Sequence, residues 1–492
     1  MSPSASTVPV KAKSAQAATP EVPEIDLSEL YMPGFLRPLV RPAGASVERR
    51  HAIGKSLRKR TPRASHAEYK PADNRPDPLD LLAKSNVGRR KDLVPLRMGR
   101  MAVSPFTFLR GAACVMAWDL HKSPKSGIRV VMGGDAHVNN FGFYGDARHQ
   151  LVADMNDFDE ATMGPWEWDL KRLVASVVIA ARENGMSKAQ STEAVLRCVE
   201  GYRWGITTAE SMPFFEIWYT AGQPGHNPMV KISPEAMSIV QKAMAKAMKS
   251  TSAALLGKVA AKDKNGEWRF NEAPPVLTRV DDKSRQKVVD GLNLYSQLSS
   301  PDRSVLLQRY RLVDIAHRVV GVGSVGTRAY LAMFIGNTDA DPLFLQIKES
   351  VAPAHAPYLP PLPKLFQEHQ GKRVVNGQRV LQAVSDVMLG ETMVDGRPFF
   401  VRQMKNMKGG VEVAGLFGEP FYLYAQNCGA LLARAHARGG DAAAICGYVG
   451  RSQVFDSALA AWAEAYADQT ECDHERLVKA IKSGKVRAIQ GV

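Results

Sequence analysis

The stretch RVVGVGSVGTRAYLAMFIGNTDADPLFLQIKES runs from Arg318 to Ser350 and holds the most telling pattern in the chain. Gly321, Gly323 and Gly326, with Ser324 and Thr327 among them, form a glycine-rich loop. A dinucleotide-binding turn would have to open a helix, with an acidic ribose ligand about twenty residues further on. Here the glycines lead instead into the apolar run Ala329–Ile335, then the turn residues Asn337–Pro342, then a second run ending at Lys348. The reading is strand, glycine loop, strand, turn, strand. In that layout the loop amides cover nucleotide phosphates, and Lys348 pairs with the α/β-phosphates. An ordinary strand-end lysine is the plain alternative, and the matching loop argues against it.

Earlier in the chain, the segment Gly134-Asp135-Ala136-His137-Val138-Asn139-Asn140-Phe141 directly follows a predicted strand. Asp135 and Asn140 stand five residues apart, the interval at which kinase catalytic loops place a catalytic Asp and a metal-binding Asn. A carboxylate must orient the proton of an attacking hydroxyl while a nearby amide oxygen helps hold Mg²⁺, so both must project from one short loop. The next predicted strand ends in Asn156-Asp157-Phe158-Asp159-Glu160. Carboxylates there suit a Mg²⁺ that bridges nucleotide phosphates, which makes Asp157 and Asp159 metal candidates. Asp169 opens an apolar helix at the position that braces the catalytic loop in aminoglycoside- and choline-kinase-like enzymes. Taken singly, each acid reads as a turn residue, a strand end or a helix cap; the ordered set points to phosphotransfer.

The remaining chain organises around these motifs. Its 492 residues are 45% hydrophobic and 23% charged, which excludes a mostly disordered chain. The mostly apolar stretch Leu173–Ala181, closed by Arg172 and Arg182, is too short to cross a bilayer. The opening MSPSASTVPVKAKSAQAATPEVPE lacks the apolar stretch of a secretory signal, so none is expected. The five cysteines show no metal or disulfide spacing, so a cytoplasmic protein is expected. Net charge is +15, and residues 1–100 carry much of it, with 19 Lys and Arg against 10 Asp and Glu. A basic arm of this kind can touch nucleic acid or an acidic surface, although a solvated extension is the simpler reading.

Helices are expected over Phe106–Leu120, Trp168–Asn184, Lys372–Leu389, Tyr422–Arg438 and Ser457–Tyr466, and strands at SGIRVVMGG, RHQLVADMNDFD and Pro398–Met404. Ala260–Pro275 reads as a loop. The expected domains are a disordered tail (1–45) and a basic extended arm packed on the body (46–104). A large-lobe part follows (105–304), then a small lobe with the glycine loop (305–415) and C-terminal helices completing the large lobe (416–492). Since the glycine loop follows the catalytic loop, the fold class is α+β, a kinase-like two-lobed fold with circularly permuted lobe order and a basic N-terminal extension. Lys348 and the glycine loop are then expected to face Asp135 and Asp157 across one cleft.

The stretches SPFTFLRGAA, GDAHVNNFG, DFDEA, GPWEWDLKRL, GVGSVGTR and FFVRQMKNMKG resemble a bacterial group known as domain-of-unknown-function family 2252, from about residue 45 to the C-terminus. That family is similar to the aminoglycoside/choline-kinase branch of the protein-kinase-like fold, and the resemblance implies nucleotide-dependent transfer. The expected catalytic residues are Asp135, Asn140 and His137, the last as a loop brace. Nucleotide contacts fall to Gly321, Gly323, Ser324, Gly326, Thr327 and Lys348, metal ligation to Asn140, Asp157 and Asp159. ATP and Mg²⁺ are the expected cofactors and a hydroxyl-bearing molecule the acceptor, its pocket built by residues 185–300.

The chain departs from the kinase pattern at three places. Gly133 replaces the bracing histidine, Asp159 replaces the DFG glycine, and Lys372–Leu389 holds no Glu for Lys348. Gln378, Gln382, Asp386 and Glu368 are the candidate substitutes. These gaps leave room for a nucleotidyl transferase or a non-catalytic nucleotide binder. A metal-dependent hydrolase using Asp135, His137, Asp154 and Asp157 is the main rival.

Overall fold

The computed structural model describes residues 27, 30, 45–226, 229, 232–319 and 321–491. The expected disordered tail therefore lies almost wholly outside the described residues. Every strand pairing is antiparallel and the helices gather beside the sheets, so the chain is α+β.

Strands β1 (Arg129–Met132), β2 (Phe141–Gly145), β3 (Leu151–Met155) and β4 (Thr162–Pro165) form two small ribbons, β1 with β4 and β2 with β3. They sit beside the helix Trp166–Glu183, which is buried on all sides from Trp166 to Ala181. Leu173, Val174, Val177 and Val178 leave no polar face for water, and the helices Lys188–Glu210, Glu419–Gly439 and Val454–Lys482 cover it. The C-terminal helices thus complete the core begun by residues 105–210.

A third ribbon of β5 (Ala260–Lys262) and β6 (Trp268–Phe270) leads to a six-stranded sheet. Its members are β7 (Leu277–Arg279), β8 (Arg311–Arg318), β9 (Ala329–Ile335), β10 (Pro342–Glu349), β11 (Gly390–Val394) and β12 (Arg397–Gln403), in spatial order β11-β12-β10-β9-β8-β7. Alternation gives the sheet two apolar faces. Leu343, Leu345 and Ile347 pack with Val288, Leu292 and Tyr295 of the helix Asp282–Leu298. Phe344, Leu331 and Met333 pack with Leu255, Leu256 and Phe270. The sheet unit accordingly starts near residue 252, not at 305, because both of its covering layers come from the segment read as large lobe.

Local departures from the expected elements have physical causes. The helix expected over Phe106–Leu120 is two helices, Pro105–Gly111 and Ala113–Lys122, because the Gly111 carbonyl accepts from the buried Arg97 guanidinium (2.8 Å). Ala260–Pro275 is no loop: Asn265-Gly266 closes the β5–β6 hairpin, with Asp263 accepting from the Asn265 and Glu267 amides. The helix Gln370–Leu381 stops before Leu389, as Gln382 turns extended and donates to the Met155 carbonyl (2.8 Å).

The arm 46–104 is not extended. Ser46 and Asp77 cap the helices Val47–Ser56 and Pro78–Ser85. Several of its arginines turn to carboxylates and carbonyls of the body, where composition alone reads a solvated face, while Arg49, Lys55, Lys59, Lys84 and Lys91 stay exposed. Arg75 joins Asp119 and Asp473 at 2.7 and 2.6 Å, Arg50 pairs with Asp441, and Arg58, Arg60 and Arg63 donate to the carbonyls of Tyr448, Ser126 and Val449. No helix of the described residues is long and apolar enough to cross a membrane. All five cysteines are free thiols.

Candidate active site

The catalytic-loop candidate leaves β1 through Gly133 and Gly134. Gly134 has φ +75°, and a Cβ there would lie 2.3 Å from the Glu160 carbonyl oxygen, so only glycine fits. Asp169, at the start of the Trp166–Glu183 helix, accepts from the Gly133 and Gly134 amides at 2.6 and 2.8 Å. It also lies 3.2 Å from His436 Nε2, and the Tyr202 hydroxyl lies 2.8 Å from the other ring nitrogen. An imidazole thus reaches the anchor of this loop from the helix Glu419–Gly439. No local pattern marks His436, since its partner is 267 residues away.

Within the loop, Asn140 Nδ2 donates to the Asp135 carbonyl (2.6 Å), leaving the amide oxygen to face elsewhere. Asp135 Oδ1 accepts two bonds from buried Arg172, at 2.9 and 2.7 Å. Asp135 Oδ2 makes no hydrogen bond among the described residues and stands 3.8 Å from His137 Nε2. Burial pushes the His137 imidazole down to about 4, so it is neutral at pH 7.

The strand β3 delivers Asp157, Asp159 and Glu160. Burial alone would push the Asp157 carboxyl up, but Lys348, Arg402 and Lys408 outweigh it and hold it at about 2. Its Oδ1 is buried with no hydrogen-bond partner among the described residues, and so is Asp159 Oδ1. Such orphaned carboxylate oxygens, beside Asn140, fit a hard divalent cation. Asp159 does not act as a free ligand, however. Its Oδ2 is ion-paired with Lys348 and accepts from Ser324 Oγ (3.2 Å). Asp159 is therefore the counterion of Lys348, and the four expected substitutes are engaged elsewhere: Gln378 donates to Gln382, Asp386 caps Met388, and Glu368 pairs with Lys364.

The loop between β8 and β9 opens no helix, which removes the dinucleotide-turn alternative. Gly321 and Gly326 have φ of +62° and +91°, backbone open to few residues but glycine. The arm grips this loop from outside. Arg89 and Arg100 donate to the Val325 and Gly321 carbonyls, and the Arg90 amide donates to the Gly326 carbonyl (2.8 Å). These clamps cross more than 220 residues and leave no trace in the local sequence.

One cavity of about 430 Å³ gathers Asp135, His137, Asn140, Asp157, Asp159, Gly321, Gly323, Ser324 and Thr327. Gly326 faces Arg89, not the cavity, and Lys348 reaches it through Asp159. Glu160, Arg89, Arg97 and Arg110 also line it, and none of them is among the expected site residues. The residues 185–300 do not build this cavity. Those around 204–226 line a separate apolar cavity of about 370 Å³ with Tyr424 and Leu431. The four-residue hydrolase set does not assemble: Asp154 is buried, ion-paired with Arg434 and bonded to the Ala383 amide (2.9 Å). Among the described residues, the His/Cys/Asp/Glu group spaced for one ion is His51, Glu210 and Cys446, none of which lines this cavity.

Residues 89–480 match the profile of a family described as "Uncharacterized protein conserved in bacteria (DUF2252)". The chain belongs to this family. The match spans the clamping arginines, both acidic motifs, the glycine loop and the C-terminal helices of this DUF2252 protein. No curated protein and no solved structure matches the chain.

Glu160 offers a pH-dependent test of the site's electrostatics. Burial pushes its carboxyl up to about 7, against an opposing bond from the Ala354 amide (2.6 Å). Between pH 4.5 and 7 the folded state then holds a proton that the unfolded state has lost, so this group's contribution to stability falls as pH rises. Glu160→Gln removes that titration. Its melting temperature relative to wild type is expected to climb from pH 4.5 to 7; a constant difference would show that Glu160 is not perturbed.

Proposed function

We propose that this DUF2252 protein is an ATP- and Mg²⁺-dependent phosphotransferase with a circularly permuted, kinase-like two-lobed fold. The observation that carries the reading is the convergence of Asp135, Asn140, Asp157 and the glycine loop on one cavity, although the two sets lie more than 160 residues apart in sequence. In this reading Asp157 and Asn140 would hold Mg²⁺, with Asp159 Oδ1 near. Bound there, the ion supplies charge neutralisation for the phosphates and fixes their orientation. The glycine-loop amides cover the phosphates, and Lys348, held by Asp159 in place of a helix glutamate, adds its charge to the α/β-phosphates. Asp135 Oδ2 orients the acceptor hydroxyl and takes its proton, while the two Arg172 bonds on Oδ1 keep the side chain aimed. The Asp169–His436–Tyr202 chain holds the loop backbone that carries Asp135. The acceptor is a hydroxyl-bearing small molecule or protein.

Thermal denaturation with ligands tests the reading. ATP with Mg²⁺ at a hundred times its dissociation constant is expected to add about 2.7 kcal/mol of stability. Stabilisation by Mn²⁺ or Zn²⁺ alone, with none from ATP and Mg²⁺, would favour the metal-hydrolase reading instead.

A further inference from the structure

A larger cavity of about 780 Å³ lies on the other side of the catalytic loop. Asn140 lines the first cavity, whereas its neighbours Asn139 and Phe141 line this one. Arg110, of the helix Pro105–Gly111, lines both cavities, and the rest of this one comes from the helices Pro234–Met248 and Ser252–Val259, the end of β8, and the chain following β12.

Its charge is lopsided. Arg110, Arg318, Lys405 and Lys408 form a half-buried inner group, and Lys246, Lys249 and Lys258 stand at the exposed edge. Against seven cations the lining holds one acid, Glu412. None of the seven makes an ion pair among the described residues, and the Nε atoms of Arg110 and Arg318 are buried without a hydrogen-bond partner. Elsewhere this chain spends its inward arginines on carboxylates and carbonyls, as Arg75 and Arg172 show. Asp157 offsets part of the charge of Lys408 and Arg110 from the first cavity, but the cations further out face one another, and Lys405 records the cost: burial, Arg318 and Lys258 all depress its protonation. A multiply charged anion would offset that cost, and an entirely solvated lysine cluster would need none of the inward arginines.

We propose that this cavity is a second phosphate site, built for a ligand that carries at least two clustered phosphates. The inference goes beyond the phosphotransfer reading and stands whether or not the first cavity binds nucleotide. The phosphates can come from the far part of a nucleotide or from a separate phosphorylated ligand. The cation count and the volume suit both, so the experiment must separate them.

Inorganic tripolyphosphate is the probe, titrated calorimetrically into the full chain without added metal. The triple variant Lys249→Ala/Lys258→Ala/Lys405→Gln is expected to lose at least tenfold in affinity. The control Lys283→Ala/Lys364→Ala/Lys479→Ala, which removes the same charge away from the cavity, is expected to change affinity less than twofold. Circular dichroism and melting curves establish that each variant is folded. Lys405→Gln alone, expected to weaken binding at least threefold, decides the matter if the triple variant unfolds. Competition by a non-hydrolysable ATP analogue with Mg²⁺ would assign the phosphates to the nucleotide; undisturbed binding would assign them to a separate ligand. No binding by wild type, or equal losses in the two triple variants, would overturn the proposal. Loss of ATP binding in Asp157→Asn, with tripolyphosphate binding intact, would show the two sites to be independent.

Discussion

Asp135→Asn is expected to leave Mg·ATP binding within a fewfold of wild type and to slow transfer by about 10²–10⁴-fold, the range for a positioned general base. The asparagine keeps an oxygen for Arg172 to bond, so the buried guanidinium is not stranded and the fold should survive. What disappears is the negative charge at Oδ2, the oxygen that makes no hydrogen bond of its own. Turnover can be read as nucleotide consumed per unit time against a panel of hydroxyl-bearing acceptors. Full turnover in a folded variant would move the chemistry away from Asp135.

Asp169→Ala should have the largest effect on stability. The substitution strands the Gly133 and Gly134 amides and leaves His436 without its carboxylate in a region closed to water. Removing one partner of a buried charged network costs about 3–5 kcal/mol. The loop that presents Asp135 would lose its backbone anchor at the same time, so residual activity should fall with stability. Chemical denaturation gives the free-energy loss directly. A change under about 1 kcal/mol would show that water or another group satisfies those amides.

Much of this site was legible because its parts are local. The turn residues Asn337–Pro342 and the flanking apolar runs marked the β9–β10 hairpin, and the Asp135–Asn140 interval marked the loop. Features made by distant partners were not legible. Asp159 as counterion of Lys348, His436 beneath the Asp135 loop and Arg89 over the glycine loop each join segments more than 180 residues apart. Such pairs leave no periodic signature in either segment. The arm misled for a related reason: its arginines look like a solvated charge run until the carbonyls and carboxylates they clamp are known. The Asn265-Gly266 hairpin was different, since its signal was present and the polar flanks obscured it.

The central claim is that the acids of residues 135–159 and the glycine loop form one Mg²⁺-dependent nucleotide site. Isothermal titration of ATP into wild type and Asp157→Asn, with and without Mg²⁺, tests it most directly. Binding to wild type is expected to require Mg²⁺, and a folded Asp157→Asn is expected to lose that Mg²⁺-dependent binding. Unchanged Mg·ATP affinity in the variant would contradict it.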